Sequence, residues 1–456
     1  MSGTLTLGEL RDAVDAGSID TVAVCMVDMQ GRLMGKRLHA RYFLEHGVEE
    51  THCCNYLLAT DLEMATPDGY ASTSWASGYG DYMMKPDLAT LRLTPWAEGA
   101  AMVLCDVLTH DGDAPIPHSP RAMLKGQLAR LAELGFSANA ATELEFFLLD
   151  DSYERARQKR YRDLEYSSAY NEDYHIFQTA KEEGVMRPIR NHLAAAGLPI
   201  EGTKGEAEAG QAELNIVYAE ALLTADMHAF AKHAVKEIAW RQGRSVTFLA
   251  KPHHERAGSA SHVHLSLIDA DGNNAFFDPD AEHGMSTTMR RFLAGQIAHA
   301  DDVTVFLAPY VNSYKRFAAG TFAPTKNVWS IDNRTAGFRI CGAGSKGVRI
   351  ECRIGGADLN PYLAMAGLIA AGIAGIEAQV EPPEAFAGDA YGAGEDAPKV
   401  PKSLARATAA LRGSDVLRDA FGDEVVDHYV RMAEVEQEDF DRVVTDHEIR
   451  RGFERA

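Results

Sequence analysis

Arg349-Ile350-Glu351-Cys352-Arg353 alternates charged with uncharged residues at a period of two. Side chains two apart on a strand share a face, so Arg349, Glu351 and Arg353 are expected to project together. The run closes a segment, Lys315 to Arg353, that holds eight Lys or Arg against two acids, a local charge of +6 in a chain of net charge −21. These cations lie among small residues such as Phe317-Ala-Ala-Gly320 and Gly342-Ala-Gly-Ser345, not on a solvated helix face. A carboxylate between two guanidiniums on a basic strand suits the binding of a polyanion together with a metal. An ordinary salt-bridged strand shows the same local pattern, and partners elsewhere in the chain decide between the two.

Thr142-Glu143-Leu144-Glu145 falls in the strand expected over Ala138 to Leu149 and sets two glutamates on one face of an otherwise apolar element. Taking two like charges out of water side by side costs several kcal/mol unless a cation compensates. A wet edge strand fits less well, because Phe146 to Leu149 is continuously apolar. Lys204-Gly-Glu206-Ala-Glu-Ala-Gly210-Gln-Ala-Glu213 adds acids around a turn, a pattern a solvated loop shares. In Ser261-His262-Val-His264-Leu-Ser266-Leu267, period two puts His262, His264 and Ser266 on one face and Val263, Leu265 and Leu267 in the core. Glutamate oxygens with an imidazole form a hard-cation set, for Mg²⁺ or Mn²⁺ and not a structural zinc.

A length of 456 residues with 46% hydrophobic content implies a globular chain of two or three domains. A pI near 5.2 argues against nucleic acid or an anionic membrane as partner. The start Met1-Ser-Gly-Thr has no basic region followed by an apolar stretch, so no signal peptide is expected. The most apolar window, Pro361 to Ile376, is too short to span a membrane and suits a buried helix with close small-residue contacts. Six cysteines (25, 53, 54, 105, 341 and 352) show no metal or disulfide spacing beyond the adjacent Cys53-Cys54. They are expected to be reduced, mostly structural and cytoplasmic.

Residues 1–108 read as a small α/β unit: a strand over Thr21 to Val27, a turn at Asp28-Met-Gln-Gly31 and a return strand over Arg32 to Leu38. The Gly- and Pro-rich segment 109–120 is the expected linker, and 121–456 the larger domain. A helix follows, with Ser119 as N-cap, Pro120 in its first turn, an apolar face of Met123, Leu124, Leu128, Leu131 and Leu134, and Gly135 as its stop. Residues 150–190 read as a long functional loop, Val380 to Ser403 as a second loop, and the tail from Ser403 as amphipathic helices.

Taken in order, these segments resemble the glutamine synthetase family. The likeness rests on Glu143-Leu-Glu145, Glu206…Gly210-Gln211-Ala-Glu213, Lys251-Pro252…Gly258-Ser259, His262-Val-His264-Leu-Ser266, Tyr314-Lys-Arg316, Asn333-Arg334…Arg339, Lys346, Arg349-Ile-Glu351-Cys-Arg353 and Asn360-Pro-Tyr-Leu363. It is strongest from 141 to 362. The resemblance implies an α+β fold with a small N-terminal β-grasp-like domain and a large catalytic domain built on a curved antiparallel sheet with helices. It also implies a homo-oligomer of two hexameric rings with sites between neighbours, and ATP with two or three Mg²⁺ or Mn²⁺ per site. Glu145, Glu206 and Glu213 then match the ligands of one metal, and Glu143, His262 and Glu351 those of a second. Arg316, Arg353 and the Gly258 loop match the glutamate-binding groups. Arg334, Arg339, Lys346 and Arg349 match the ATP-phosphate contacts, and His264 with Ser266 the nucleotide side. Moving a phosphoryl group onto a carboxylate crowds negative oxygens together, which calls for metals and fixed guanidiniums and not for a protein nucleophile.

Three departures concern the amine. Ammonia-using members carry a flap glutamate six residues after the first arginine, where this chain has Phe322. The N-terminal Asp-Gly-Ser-Ser motif is absent, Pro67-Asp68-Gly69-Tyr70 being the nearest stretch. Ala257 replaces the Asn before the glutamate-binding Gly-Ser, and Lys204-Gly205 replaces the His-His before Glu206. An apolar amine site packs carbon better than it holds a small cation. The expectation is therefore an ATP-dependent, ADP-forming ligase joining glutamate to an organic primary amine, with a short monoamine such as ethanolamine favoured over a polyamine. Glutamine synthesis from ammonium, with Asp61, Glu63 or Asp68 as the acids, and a non-catalytic structural role are the alternatives. With no acid at 322, Glu63 and Asp68 of an adjacent subunit are the candidate bases. Tyr391 lies where some family members are adenylylated, but in a different context, and no modification is expected.

Overall fold

The computed structural model describes residues 3–394 and 396–456, so Met1 and Ser2 of the leader reading lie outside the described residues. Strands β1 (Thr21–Val27), β2 (Leu33–His39), β3 (Thr51–Cys54), β4 (Asp81–Pro86), β5 (Arg92–Leu93) and β6 (Ala100–Leu108) form one sheet in the order β2-β1-β6-β4-β3, with β5 on β6. β1 and β6 run parallel and the other pairs antiparallel. The apolar run of β1 is buried on both faces. Val22, Val24 and Met26 enter a core with Leu10, Phe43 and Val103, while Ala23 and Cys25 pack with Leu144, Phe146 and Phe230 of the following region.

Nine further strands make the second sheet: β7 (Ser137–Leu149), β8 (Ile200–Gly205), β9 (Gln211–Ile216), β10 (Ala219–Glu220), β11 (Ser245–Thr247), β12 (Val263–Ile268), β13 (Trp329–Ile331), β14 (Phe338–Cys341) and β15 (Arg349–Cys352). Their order is β13-β14-β15-β12-β7-β9-β8, with β10 and β11 also on β7. Every pair is antiparallel except β13–β14, which is parallel. The 13-residue β7 is thus the spine on which four other strands converge.

The apolar window becomes the helix Pro361–Glu377, buried on nearly every side. The Asn360 side chain caps it by accepting from the Tyr362 N–H at 3.1 Å, and its Nδ2 donates to the Asp28 and Met29 carbonyls at 3.0 and 3.2 Å. One residue therefore starts the central helix and ties the β1–β2 turn to it. The helix crosses Thr287–Ala298 at a pair of glycines: a Cβ on Gly375 would stand 2.1 Å from the Arg291 carbonyl oxygen, and one on Gly295 2.1 Å from that of Ala371.

Residues 150–190 correct the loop reading. They contain the helices Tyr153–Gln158 and Ile176–Thr179 and the start of Glu183–Ala195. Pro188, which has no N–H to donate to the helix ladder, lies inside the last helix. The tail is helical as expected, over Leu404–Arg412, Asp415–Phe421, Asp423–Asp441 and Asp446–Gly452. Among the described residues no helix is long and apolar enough to cross a membrane.

Two glycine replacements test this packing in opposite directions. Gly375→Ala forces the crossing helices apart and is expected to lower stability by about 1–3 kcal/mol. Gly126→Ala, in the exposed interior of Pro120–Glu133 with open space at the Cβ position, is expected to raise it by about 0.5–1 kcal/mol. Denaturant unfolding of both variants reads the difference.

Candidate active site

The register of β7 positions the first acidic group. Glu145 lies directly opposite Glu213 on β9, and Glu206 arrives from the β8–β9 turn. The carboxylate oxygens of the three approach within 4.8 Å of one another. Glu145 accepts from the Ala260 N–H at 2.7 Å and from Gln211 Nε2 at 3.1 Å. Burial pushes the Glu145 carboxyl well up, with Glu206 and Glu213 adding to it. Burial, then Glu143 and Glu206, raise Glu213 to about 8. Three acids so placed repel one another, and a hard divalent cation is the group their oxygens fit.

Glu143, His262 and Glu351 form the second group, again with ligand atoms within 4.8 Å. Glu143 Oε2 stands 2.5 Å from His262 Nδ1, and its Oε1 3.0 Å from His264 Nε2. Burial opposes the charge on both carboxylates. His262 and His264 outweigh it at Glu143, holding it well below the usual range. At Glu351 the opposing groups are His262, Arg353 and His264, and they hold the carboxyl at about 2.

Glu351 is fully buried between two guanidiniums, but one of them is not the expected one. Arg353 Nη1 donates at 2.5 Å and Arg339 Nη1 at 2.9 Å. Arg339 faces Glu351 across the β14–β15 ladder, whereas exposed Arg349 turns its Nε to His264 Nδ1 at 3.3 Å. The alternation within β15 shows which face Glu351 takes; its second partner comes from the neighbouring strand.

Arg316 is 2% exposed and donates to the carbonyls of Ile354 and Arg353 at 3.1 and 2.8 Å. Desolvation draws its guanidinium down to about 10, with Glu145 opposing and Arg353 reinforcing. Gly258 leaves it room, since a Cβ there would stand 2.7 Å from Arg316 Cγ. Arg353 Nε donates to the Arg334 carbonyl at 3.1 Å and Nη2 to that of Phe322 at 3.4 Å.

A cavity of about 360 Å³ joins these groups. Glu143, Glu145, Glu206, Glu213, His262, Gly258, Arg316, Phe322, Arg334, Arg339 and Arg353 all line it. Phe322 is 56% exposed and has φ +56°, a strained setting for an aromatic residue. His264 sits behind Glu143 and Ser266 is half-buried farther along β12. Lys346 lies on the exposed loop before β15, where its carbonyl accepts from Asn274. Glu63 and Asp68 do not line the cavity of their own chain. Glu63 is on an exposed turn bonded to Asp61, and the Asp68 carbonyl accepts from Arg431. The structure adds residues to which sequence assigns no role: Gln211 beside Glu145, Cys341 with its Sγ 3.2 Å from Glu351 Oε2, and the cavity-lining Asp173, Tyr174 and Lys204. Of these, Gln211 and Lys204 carry a sequence signal, the first inside a family motif and the second as a departure from the family pattern.

The glutamine synthetase catalytic-domain family matches residues 117–452. Gamma-glutamylethanolamide synthetase GlnA4 of Streptomyces coelicolor is 49% identical over 452 residues, spanning 99% of this chain and 96% of that protein. Glutamate–isopropylamine ligase of a Pseudomonas species is 36% identical over 426 residues, 93% of each chain. The apo structure of GmaS superposes with a TM-score of 0.85 at 30% identity, covering 98% of this chain and 99% of that one. With its carboxylate clusters and guanidiniums in one cavity and a whole-length likeness of this order, the chain belongs to the glutamine synthetase family.

Proposed function

We propose that this protein is an ATP-dependent ligase that joins glutamate to an organic primary amine through γ-glutamyl phosphate, with a short monoamine such as ethanolamine favoured. The observation that carries this reading is the composition of the cavity. Carboxylates of both clusters and four guanidiniums line it together with the aromatic Phe322 and Tyr174. The likeness to gamma-glutamylethanolamide synthetase and to glutamate–isopropylamine ligase supports it.

In the first step a glutamate carboxylate oxygen attacks the γ-phosphorus of ATP and the bond to ADP breaks. In the second the amine nitrogen attacks the acyl carbon, the bond to phosphate oxygen breaks, and phosphate leaves with ADP as product. Glu145, Glu206 and Glu213 would hold one Mg²⁺ or Mn²⁺, and Glu143, His262 and Glu351 another. Such ions supply charge neutralisation for the phosphoryl oxygens. Arg316 and Arg353 hold the glutamate. Arg334, Arg339, Lys346 and Arg349 face the phosphates, and His264 with Ser266 lies on the nucleotide side. Their fixed positive charge requires no reorganisation during transfer. The amine's proton passes to Glu63 or Asp68 of a neighbouring subunit in a double-ring assembly; both are exposed on their own chain. The same reading keeps a domain division at 1–108, 109–120 and 121–456, supported by the first sheet ending at Leu108, and a cytoplasmic location.

Phosphate release from ATP and glutamate, screened against ammonium, ethanolamine, putrescine and spermidine, is expected to be most efficient with ethanolamine; equal efficiency with ammonium would replace this reading by glutamine synthesis. Glu145→Ala and Glu206→Ala are expected to lower turnover at saturating Mg²⁺ by about 10²-fold or more, since each breaks a cation site. Arg316→Lys is expected to raise KM for glutamate about tenfold or more while leaving KM for ATP unchanged, because an ammonium cannot reproduce bidentate binding. Phe322→Glu is expected to improve ammonium use relative to ethanolamine, and Phe322→Ala to raise KM for ethanolamine. Steady-state kinetics with each substrate varied separately reads all of these.

A further inference from the structure

The cavity that Phe322 lines has a corner that already contains an alkylammonium, and it belongs to the protein. Lys204 reaches in from β8 with its Nζ 3.1 Å from Asp173 Oδ1, in an ion pair with Glu206, and 4.3 Å from the centre of the Tyr174 ring. Two carboxylates and an aromatic face are what a primary ammonium needs: charge-assisted hydrogen bonds and a cation–π contact. The Lys204 side chain is 20% exposed.

The corner is fixed from both sides. Tyr174 is in the left-handed region at φ +56°, and its N–H donates to the Gly205 carbonyl, next to Lys204, at 3.3 Å. Gly205 has no room for a side chain, as a Cβ there would stand 2.6 Å from the Glu172 carbonyl oxygen. The 172–174 turn is thereby held against β8. Asp173 is also the one cavity-lining acid among the described residues that belongs to neither carboxylate cluster.

We infer that Lys204 fills, with its own ammonium group, the cation corner of the amine pocket, and so excludes free ammonium while leaving carbon-bearing amines their hold on Phe322. This inference rests on the amine-ligase reading. Ammonium has no carbon to pack, so a charged and aromatic corner is its main source of affinity, and a resident cation removes that source. An organic amine retains apolar contact with the exposed face of Phe322. The adjacent positive charge also disfavours the protonated form of the incoming amine relative to the neutral form, which is the nucleophile.

The test compares K204M, which keeps the stem and removes the charge, with K204R, which keeps a cation. The readout is the ratio of kcat/KM for γ-glutamylethanolamide formation to that for glutamine formation, at saturating ATP, glutamate and Mg²⁺. K204M is expected to lower this ratio about tenfold or more, the scale of one charged hydrogen bond gained by ammonium, while K204R keeps it. An unchanged ratio in K204M overturns the inference, and so does an equal fall in both variants. K204Q, which keeps a polar side chain and removes the charge, is expected to lower the ratio as K204M does. Should K204M not fold, an unchanged ratio in K204Q overturns the inference. Wild-type protein that makes glutamine as efficiently as any amide would instead overturn the amine-ligase reading, a result read without any variant.

Discussion

Glu145 and Glu213 stand directly opposite each other across β7 and β9, and both are buried. Like charges in cross-strand register oppose sheet formation, and their burial adds a desolvation cost of several kcal/mol. The sheet is held around this conflict by what lies at its edges. Leu144, Phe146 and Leu148 of β7 turn the other way into a closed apolar core with Leu214 and Phe230. The backbone of Ala260 and the Gln211 amide supply donors to Glu145. The fold thus keeps carboxylates together where a chain optimised for stability alone would separate them, and a polyanion with its counter-ions is the ligand class that such a site suits.

Charge is segregated within a few ångströms of that conflict. Glu351 is paired by Arg339 and Arg353 and holds its charge, whereas among the described residues Glu145 and Glu213 have no guanidinium in ion-pair contact and are pushed towards protonation. The two clusters therefore differ in kind. One is neutralised in part by guanidiniums and imidazoles, whereas in the other Lys204 pairs with Glu206 alone among the described residues. Arg316 and Arg353 come together across this boundary, two guanidiniums whose mutual repulsion an anionic substrate relieves.

Much of the site is legible in the chain because strand periodicity is local. Period two alone puts Glu143 with Glu145, and His262 with His264, and the structure keeps those faces. The continuous apolar run of Pro361 to Ile376 is equally clear, since a helix hydrophobic all round must be buried. What depends on register between distant strands is not legible. That Arg339 and not Arg349 meets Glu351 follows from the β14–β15 pairing, which no spacing within either strand reveals. The helices within 150–190 are hidden because polar faces and Pro188 mask their periodicity. Asp173 and Tyr174 reach the cavity only because that segment folds back on β8, a long-range contact without a local signal.

Arg353 joins the buried Glu351 to the segment that carries Phe322. Its guanidinium donates to Glu351, the Arg334 carbonyl and the Phe322 carbonyl, so it ties together the Glu143–His262–Glu351 group, the β13–β14 connection and the Phe322 segment. Phe322 holds a positive φ, a conformation an aromatic residue keeps only where surrounding contacts fix it. Tyr391 supplies another such contact, its hydroxyl donating to the Ala323 carbonyl at 3.1 Å. On the proposed assignment, a glutamate carboxylate that draws on Arg353 would compete with its 3.4 Å bond to the Phe322 carbonyl. Binding of the glutamate carboxylate and the placement of Phe322 share, on that assignment, one hydrogen-bonding group, the Arg353 guanidinium.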